Sequence, residues 1–218
     1  MVNSFASYPS LSGKNILITG GASGIGKEIV KGFAEQGANV AFLDLNDEAG
    51  ERLSLDIGEN VFFEKCDLKE IKNLKLSIEN LRAQIGLFDV LVNNAAHDDR
   101  HNWQEVTEDY WDDRFATNLR HQFFTIQSVA KDMIQKGGGS IVNIGSNSWM
   151  EAVGNFPAYA TAKSAVHGLT RTLARDLGKH RIRVNTVVPG WIMTDRQKEL
   201  WVTPEGLENQ YKRQCLPD

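Results

Sequence analysis

Hydrophobic residues along the chain follow two alternating patterns. Short runs rich in valine and isoleucine are typical of β-strands, and longer stretches with apolar residues at helical spacing are typical of amphipathic α-helices. The short runs predict six strands, at Asn15–Thr19, Asn39–Leu43, Val61–Lys65, Val90–Asn93, Ser140–Ile144 and Arg183–Val188. The longer stretches predict helices at Gly24–Gln36, Asp47–Leu55, Ile71–Gln84, Glu108–Gln135 and Ala158–Leu177.

The regular alternation of strands and helices predicts an α/β fold. A strand that is followed by a helix and then by another strand favours a parallel, doubly wound sheet of the Rossmann type, with helices on both faces. The strands at Val40–Leu43 and Val90–Val92 are apolar on both faces, as a sheet covered on both sides requires. The 218 residues suffice for one sizeable core, so we expect a single domain over residues 1–218.

Charge and cysteine content exclude several classes of protein. The chain has 24 basic and 28 acidic side chains, a net charge of −4, which gives no basic field for nucleic acid. Its two cysteines, Cys66 and Cys215, are far apart and suggest neither a disulfide framework nor a zinc site. The start, Met1 to Gly13, has no signal-peptide pattern, and no stretch is apolar enough to cross a membrane. We therefore expect a cytoplasmic protein.

A glycine-rich segment joins the first predicted strand to the first helix. Glycines there would let backbone amides approach a pyrophosphate, and the helix dipole would add positive charge at the same point. An ordinary glycine-rich turn is the alternative, but the strand-loop-helix context favours nucleotide binding. The residues expected to contact the phosphates are Gly20, Ala22, Ser23, Gly24, Ile25 and Gly26.

Asp44 follows the second predicted strand. A carboxylate at this position is suited to accept hydrogen bonds from the adenosine ribose hydroxyls, and it would repel a 2'-phosphate. Positions 23 and 45 hold Ser23 and Leu45, so neither has the arginine or lysine that would neutralise such a phosphate. The pattern predicts NAD rather than NADP as cofactor, with a surface aspartate as the alternative.

Four polar residues are candidates for catalysis. Tyr159 and Lys163 are four residues apart on a predicted helix, so they share one face, although an isolated pair of this kind is usually a surface feature. Ser146 follows the fifth strand, and Asn118 lies on a helix that faces the same region. Together they suggest a tyrosinate general base whose pKa is lowered by the Lys163 ammonium and the oxidised nicotinamide.

Motifs along the whole chain resemble those of the short-chain dehydrogenase/reductase family. The glycine loop, the Asn-Asn-Ala motif at residues 93–95, Ser146, the Tyr-x3-Lys pair and Pro189-Gly190 occur in the family's order, although Ala96 stands where the family has glycine. The resemblance implies that Asn118, Ser146, Tyr159 and Lys163 form a catalytic tetrad, with Lys163 also on the nicotinamide ribose. It also implies a homo-oligomer, a tetramer or dimer, and further cofactor contacts at Asp67, Leu68, Asn93, Ala95, Pro189, Gly190, Ile192 and Thr194.

The residues expected around the substrate are polar or have flat aromatic faces. They are Asn147, Trp149, Asn155 and Trp191, a set that suits a polyhydroxylated small molecule. Several stretches resemble bacterial aldose 1-dehydrogenases that act on D-xylose, namely Asp98–His101, Asn118–His121, Thr203–Gly206 and Gln214–Leu216. That resemblance implies hydride transfer from C1 of a cyclic aldose to NAD, giving a lactone. A ketone or 3-oxoacyl reductase and a non-catalytic NAD-binding module remain the alternatives.

Three further expectations concern the remaining segments. His97 and His101 could be metal ligands, but they follow a strand in a predicted loop, so we expect no metal. Thr194–Gln214 is predicted to be a lid with breaks at Pro204 and Gly206. Family members usually continue with one more strand and helix, which we expect this chain to lack. If nothing follows the sixth strand, we expect Val184–Val188 to be an apolar sheet edge.

Overall fold

The computed structural model describes residues 6–216 and contains one six-stranded parallel sheet. The strands lie in the order β3-β2-β1-β4-β5-β6. Their bounds are Asn15–Thr19 (β1), Asn39–Asp44 (β2), Val61–Lys65 (β3), Val90–Asn93 (β4), Gly139–Ile144 (β5) and Ile182–Val187 (β6). The helices are Gly24–Glu35 (α1), Asp47–Ile57 (α2), Ile71–Ile85 (α3), Glu108–Phe115 (α4), His121–Gln135 (α5), Pro157–Gly178 (α6), Asp195–Leu200 (α7) and Pro204–Arg213 (α8).

Two apolar clusters, one on each face of the sheet, hold the fold together. All five residues of β1 are buried, and their side chains alternate between the faces. Leu17 belongs to the cluster under α3 and α5, while Ile16 and Ile18 belong to the cluster under α1 and α2. The predicted doubly wound sheet is thereby confirmed.

The helix predicted over Glu108–Gln135 is interrupted, so that prediction is wrong. A π-helical turn at Ala116–Arg120 separates α4 from α5, and the His121 amide donates to the Ala116 carbonyl five residues earlier. The turn contains Asn118, whose side chain is fully buried. Turns of this kind inside helices often mark functional positions.

The segment after β6 forms two helices. Thr194 caps α7 by accepting a hydrogen bond from the Gln197 amide at 3.3 Å, and Thr203 caps α8 by accepting from the Gly206 amide at 3.0 Å. The two helices are separated directly before Pro204, where a break is predicted, whereas Gly206 lies inside α8, so the predicted break at Gly206 is wrong. Proline is accepted at the first helical position because its missing N–H would have no partner there.

The edge strand β6 is only partly apolar, unlike the expected apolar edge. Ile182 and Val184 are buried, whereas Arg183 and Asn185 are exposed. Polar and charged residues on an edge strand reduce pairing with other chains.

The longest helix, α6, has 22 residues and charged residues along its length. Across residues 6–216, none of the helices has both the length and the apolar character that crossing a bilayer requires.

Candidate active site

A cleft of about 890 Å³ lies at the carboxyl ends of the strands. Residues from the loops after all six strands line it. Ligand-binding clefts usually have volumes of roughly 300–1,000 Å³, and open parallel sheets bind ligands at this edge. The cleft is therefore large enough for an extended ligand.

The glycine loop after β1 forms one end of the cleft and fits a pyrophosphate. Gly20 and Gly24 have φ values of +68° and +52°, which side chains rarely adopt. A Cβ on Gly26 would lie 1.8 Å from the Gly20 carbonyl oxygen and 2.6 Å from Asn94 Nδ2. Ser23, at the N-cap of α1, makes no side-chain capping bond. The first amides of α1 are thus available to an anion at the helix N-terminus.

Asp44 lies beside this loop at the end of β2. Its Oδ2 accepts a hydrogen bond from the Ala22 amide at 2.9 Å, and its Oδ1 accepts one from the Asn46 amide at 3.0 Å. Two nearby lysines already have carboxylate partners: Lys65 Nζ lies 3.0 Å from Asp47, and Lys69 Nζ lies 2.9 Å from Asp113. Asp44 is therefore fixed in place, and both nearby ammonium groups are engaged.

Tyr159 and Lys163 lie one turn apart on α6 and face the cleft, as predicted. Lys163 Nζ donates a hydrogen bond to the Ile144 carbonyl at 2.7 Å and lies 5.8 Å from the centroid of the Tyr159 ring. Ser146 follows β5, and its hydroxyl donates to Ser148 Oγ at 3.0 Å. The cleft thus brings together three members of the predicted tetrad.

Burial dominates the ionisation of this pair. It raises the pKa of Tyr159 to about 12, although the nearby Ser146 hydroxyl acts in the opposite direction. Burial also lowers the pKa of Lys163 to about 8. The expected lowering of the Tyr159 pKa by Lys163 is not found: burial of the phenol has the largest effect, and the charges that shift the pKa are those of Asp98 and Arg100.

Asn118 does not line the cleft, and its side chain instead forms hydrogen bonds with the backbone of the loop after β4. Its Oδ1 accepts a hydrogen bond from the His97 amide at 2.8 Å, and its Nδ2 donates to the His97 carbonyl at 3.1 Å and to the Arg114 carbonyl at 2.9 Å. Both N–H donors of the side-chain amide are thereby used, and its oxygen has a partner. The π-helical turn places it where it fixes the start of this loop.

Most of the predicted cofactor contacts lie in the cleft, and two do not. Ala22 is buried, and its amide is bound to Asp44. Asn93 points into the core, where its Nδ2 donates to Asn143 Oδ1 at 2.9 Å, while the next residue, Asn94, lines the cleft. The predicted contacts that line the cleft are Gly20, Ser23, Gly24, Ile25, Gly26, Asp44, Asp67, Leu68, Ala95, Tyr159, Lys163, Pro189, Gly190, Ile192 and Thr194.

Of the four predicted substrate residues, Asn147 and Trp191 line the cleft. Trp149 lies outside the lining and packs edge-on against His167, with the ring centroids 5.2 Å apart. Asn155 also lies outside it, and its carbonyl accepts a hydrogen bond from the His101 amide at 2.7 Å. Nearness in sequence to Ser146 and Tyr159 therefore did not predict nearness to the cleft.

Sequence reasoning missed a group of polar and aromatic residues at the substrate end. Asp98 Oδ2 accepts a hydrogen bond from Gln197 Nε2 at 2.7 Å, which joins the loop after β4 to α7. The Arg100 guanidinium lies 4.0 Å from the centroid of Phe156, whose ring stacks on Tyr159 at 5.3 Å. The available signal was the position of Asp98 and Arg100 just after a buried strand. The other cleft residues in this group are Glu151, Trp201, Gln210 and Arg213.

The two histidines of this loop have protein partners. His101 Nδ1 lies 2.9 Å from the Tyr110 hydroxyl, and its Nε2 accepts a hydrogen bond from the Ala158 amide at 3.2 Å. The His97 ring contacts the Arg114 guanidinium. In the described part of the chain, no three His, Cys, Asp or Glu side chains are grouped to hold a metal ion.

Comparison with known proteins agrees with this geometry. Residues 14–205 match the family described as short chain dehydrogenase. The chain is 47% identical to the D-xylose 1-dehydrogenase of Caulobacter vibrioides, over 98% of this chain and 85% of that protein. It is 43% identical to a probable galactose dehydrogenase of Rhizobium meliloti, over 96% of this chain and 83% of that protein.

A solved structure shows the same fold. The short-chain type dehydrogenase/reductase from Mycobacterium ulcerans superposes with a TM-score of 0.90, over 98% of this chain and 79% of that one, at 25% sequence identity. The family match covers most of the chain. The chain belongs to the short chain dehydrogenase family.

Proposed function

We propose that this protein oxidises C1 of a cyclic aldose, D-xylose or a similar sugar, with NAD, and releases a lactone. Members of the family use nicotinamide cofactors, NAD or NADP. The observation that carries the proposal is that Tyr159 opens onto a cleft whose substrate end is polar, with Asp98, Asn147 and Gln197 in its lining. Such a lining suits a sugar better than an acyl chain. The two sugar dehydrogenases among the relatives support the same class of substrate.

In the proposed reaction, the Tyr159 phenolate removes the proton of the C1 hydroxyl. The O–H and C1–H bonds break, a C1=O bond forms, and the proton passes to Tyr159 Oη. When bound, NAD accepts the hydride that leaves C1 and supplies a positive charge. The Ser146 hydroxyl orients the substrate oxygen, since it lies at the cleft end of β5, near Tyr159.

One cation, Arg100, helps Tyr159 to ionise against the effect of burial. The Arg100 guanidinium lowers the pKa of Tyr159, and Arg100 reaches it through the stacked ring of Phe156. Lys163 is held beside the tyrosine ring by the Ile144 carbonyl. In the proposed mechanism Lys163 also binds the nicotinamide ribose.

The preference for NAD rests on Asp44. A free 2'-hydroxyl can donate a hydrogen bond to its carboxylate, whereas a 2'-phosphate would meet a negative charge. Lys65 and Lys69, which could compensate that repulsion, are paired with Asp47 and Asp113. We therefore propose that NADP is the poorer cofactor.

The test is cofactor reduction by a panel of aldoses, with NAD and NADP in parallel. We expect absorbance of NADH with D-xylose, and formation of a hydroxamate when hydroxylamine traps the lactone. The matched control is 1,5-anhydroxylitol, which keeps the ring and lacks the C1 hydroxyl, and it should not react. Reduction of simple ketones with NADPH and no turnover of sugars would instead support the reductase alternative. NAD binding without any turnover would support the non-catalytic alternative.

A further inference from the structure

Asp98 occupies a defined position at the substrate end of the cleft. It lies in the loop after β4, and its side chain is 22% exposed. Its Oδ2 accepts a hydrogen bond from Gln197 Nε2 at 2.7 Å, and its Oδ1 lies 3.6 Å from Arg196 Nε. Both partners belong to α7, so the carboxylate is held by this helix.

The orientation of Gln197 is itself fixed. The indole N–H of Trp191 donates to Gln197 Oε1 at 2.9 Å, so the amide nitrogen of Gln197 is the group that faces Asp98. Trp191, Gln197 and Asp98 all line the cleft. This chain of hydrogen bonds leads from the turn after β6 to the carboxylate and keeps it oriented.

Asp98 is close enough to act on both catalytic groups. Beyond the effect of burial, its negative charge raises the pKa of Tyr159 and of Lys163. A negative charge beside a phenol that must ionise opposes the proposed proton transfer. Asp98 therefore does not assist the proposed proton transfer, and its place in the cleft lining leaves it available to bind the substrate.

The chemistry of an ionised carboxylate defines what it can bind. Its two oxygens only accept hydrogen bonds, at about four positions, and the two contacts from α7 use part of that capacity. A sugar hydroxyl beside the reacting one is a donor and carries no charge. An apolar chain would leave the carboxylate without a partner, and an anionic group would be repelled.

We infer that Asp98 is a specificity-determining residue that accepts a hydrogen bond from the substrate hydroxyl on the carbon next to the one oxidised. This inference rests on the proposed aldose oxidation. For D-xylose, the group concerned is the C2 hydroxyl. A hydrogen bond to a charged group changes the affinity by about 10- to 100-fold, and the site should reject a sugar that lacks the hydroxyl by at least this factor.

The experiment compares D-xylose with 2-deoxy-D-xylose at saturating NAD, in the wild type, in Asp98→Asn and in Asp99→Asn. Asp99 is the matched control because it is a neighbouring carboxylate that also contacts Arg196 but lies outside the cleft lining. We expect Asp98→Asn to lower kcat/KM for D-xylose by about 10- to 100-fold and for the deoxy sugar by less than about threefold. Asp99→Asn should change both values by less than about threefold.

The ratio of the two kcat/KM values separates recognition from a structural effect. Equal losses of kcat/KM on both sugars in Asp98→Asn would overturn the inference, because the carboxylate would then serve only to hold α7 in place. Equal kcat/KM values for both sugars in the wild type would overturn it as well, and this arm needs no folded variant. A wild type that oxidises no aldose would contradict the proposed function itself, so the two failures are distinguishable.

Discussion

The two ends of the cleft are built in different ways. At the cofactor end, backbone conformation makes the site: Gly20, Gly24 and Gly26 shape one loop, and Asp44 is fixed by the amide of Ala22, 22 residues away in the chain. At the substrate end, side chains from distant segments make it, as in the bond between Gln197 and Asp98, which are 99 residues apart. A site made by the backbone of one loop is a local property of the sequence. A site made by side chains exists only once the sheet has brought its loops together.

Tyr159 lies where the two ends meet, and its removal should have the largest effect. We expect Tyr159→Phe to lower kcat by about 100- to 10,000-fold, because the phenol oxygen is the proposed base. Affinity for NADH, measured by fluorescence titration, should remain within about threefold of the wild type. The ring would keep its stacking on Phe156, so the fold is preserved. Residual turnover within tenfold of the wild type would contradict the assignment of the base.

Two glycines of α1 test whether the cofactor end depends on backbone space. Gly26→Ala would place a methyl group against the Gly20 carbonyl, and we expect a cost of about 1–3 kcal/mol and a loss of NADH affinity. Gly32 lies in the same helix with open space around it, so Gly32→Ala should stabilise the fold by about 0.5–1 kcal/mol. Urea unfolding and NADH titration measure both. Similar effects of the two substitutions would mean that backbone space at Gly26 does not limit binding.

Asp44→Asn tests the one side chain that the proposal needs at the cofactor end. Loss of the charge should remove the repulsion of a 2'-phosphate while the amide oxygen can still accept a backbone hydrogen bond. We expect the ratio of kcat/KM with NAD to that with NADP to fall by about 10- to 100-fold. Asp56→Asn is the control, because Asp56 pairs with Arg52 on the exposed side of α2, outside the cleft lining, and should leave the ratio unchanged. If the ratio of kcat/KM with NAD to that with NADP did not change in Asp44→Asn, the assignment of NAD through Asp44 would be wrong.

The contrast between the two ends also explains what sequence reasoning achieved. All six strands and the glycine loop were predicted, because hydrophobic runs and glycine spacing are local signals. The π-helical turn at Ala116–Arg120 was missed, since hydrophobic periodicity continues through it. Trp149 and Asn155 were chosen for nearness in sequence, and the structure places them outside the cleft. Asp98 was noticed within the stretch Asp98–His101 but not chosen as a substrate residue, because its partner lies on α7 and no local pattern connects the two segments.

Lys163 is a buried ammonium group between the two ends of the cleft. Its effect on the free energy of unfolding should therefore depend on pH. Its pKa is about 8 in the folded chain, against about 10.4 when unfolded. Between these values the unfolded chain holds the extra proton, so the contribution of Lys163 to stability rises with pH across that window. Below pH 8 Lys163 is charged in the folded chain as well, and burial of the charge then destabilises the fold to its full extent.

We therefore expect Lys163→Met, without cofactor, to raise the free energy of unfolding at pH 7 by about 1 kcal/mol. The gain over the wild type should shrink as the pH rises from 8 towards 10. Urea unfolding at several pH values measures it. Lys179 is exposed at the end of α6, and Lys179→Met should give a difference that stays constant with pH. A constant difference for Lys163→Met as well would contradict the lowered pKa.

Arg196 tests the substrate end at its weakest contact, where the smallest effect is expected. Its guanidinium pairs with Asp98 and Asp99, but its side chain is 44% exposed, and exposed ion pairs contribute about 0–1 kcal/mol. Arg196→Ala should raise KM for the sugar by about two- to fivefold and speed proteolysis between residues 194 and 214, with no change in NADH affinity. Lys198→Ala is the control, since Lys198 lies on the same helix and its ammonium pairs with Asp195 at 4.0 Å. If Arg196→Ala weakened NADH binding as much as sugar binding, the two ends of the cleft would not be independent, and the contrast drawn between them would fail.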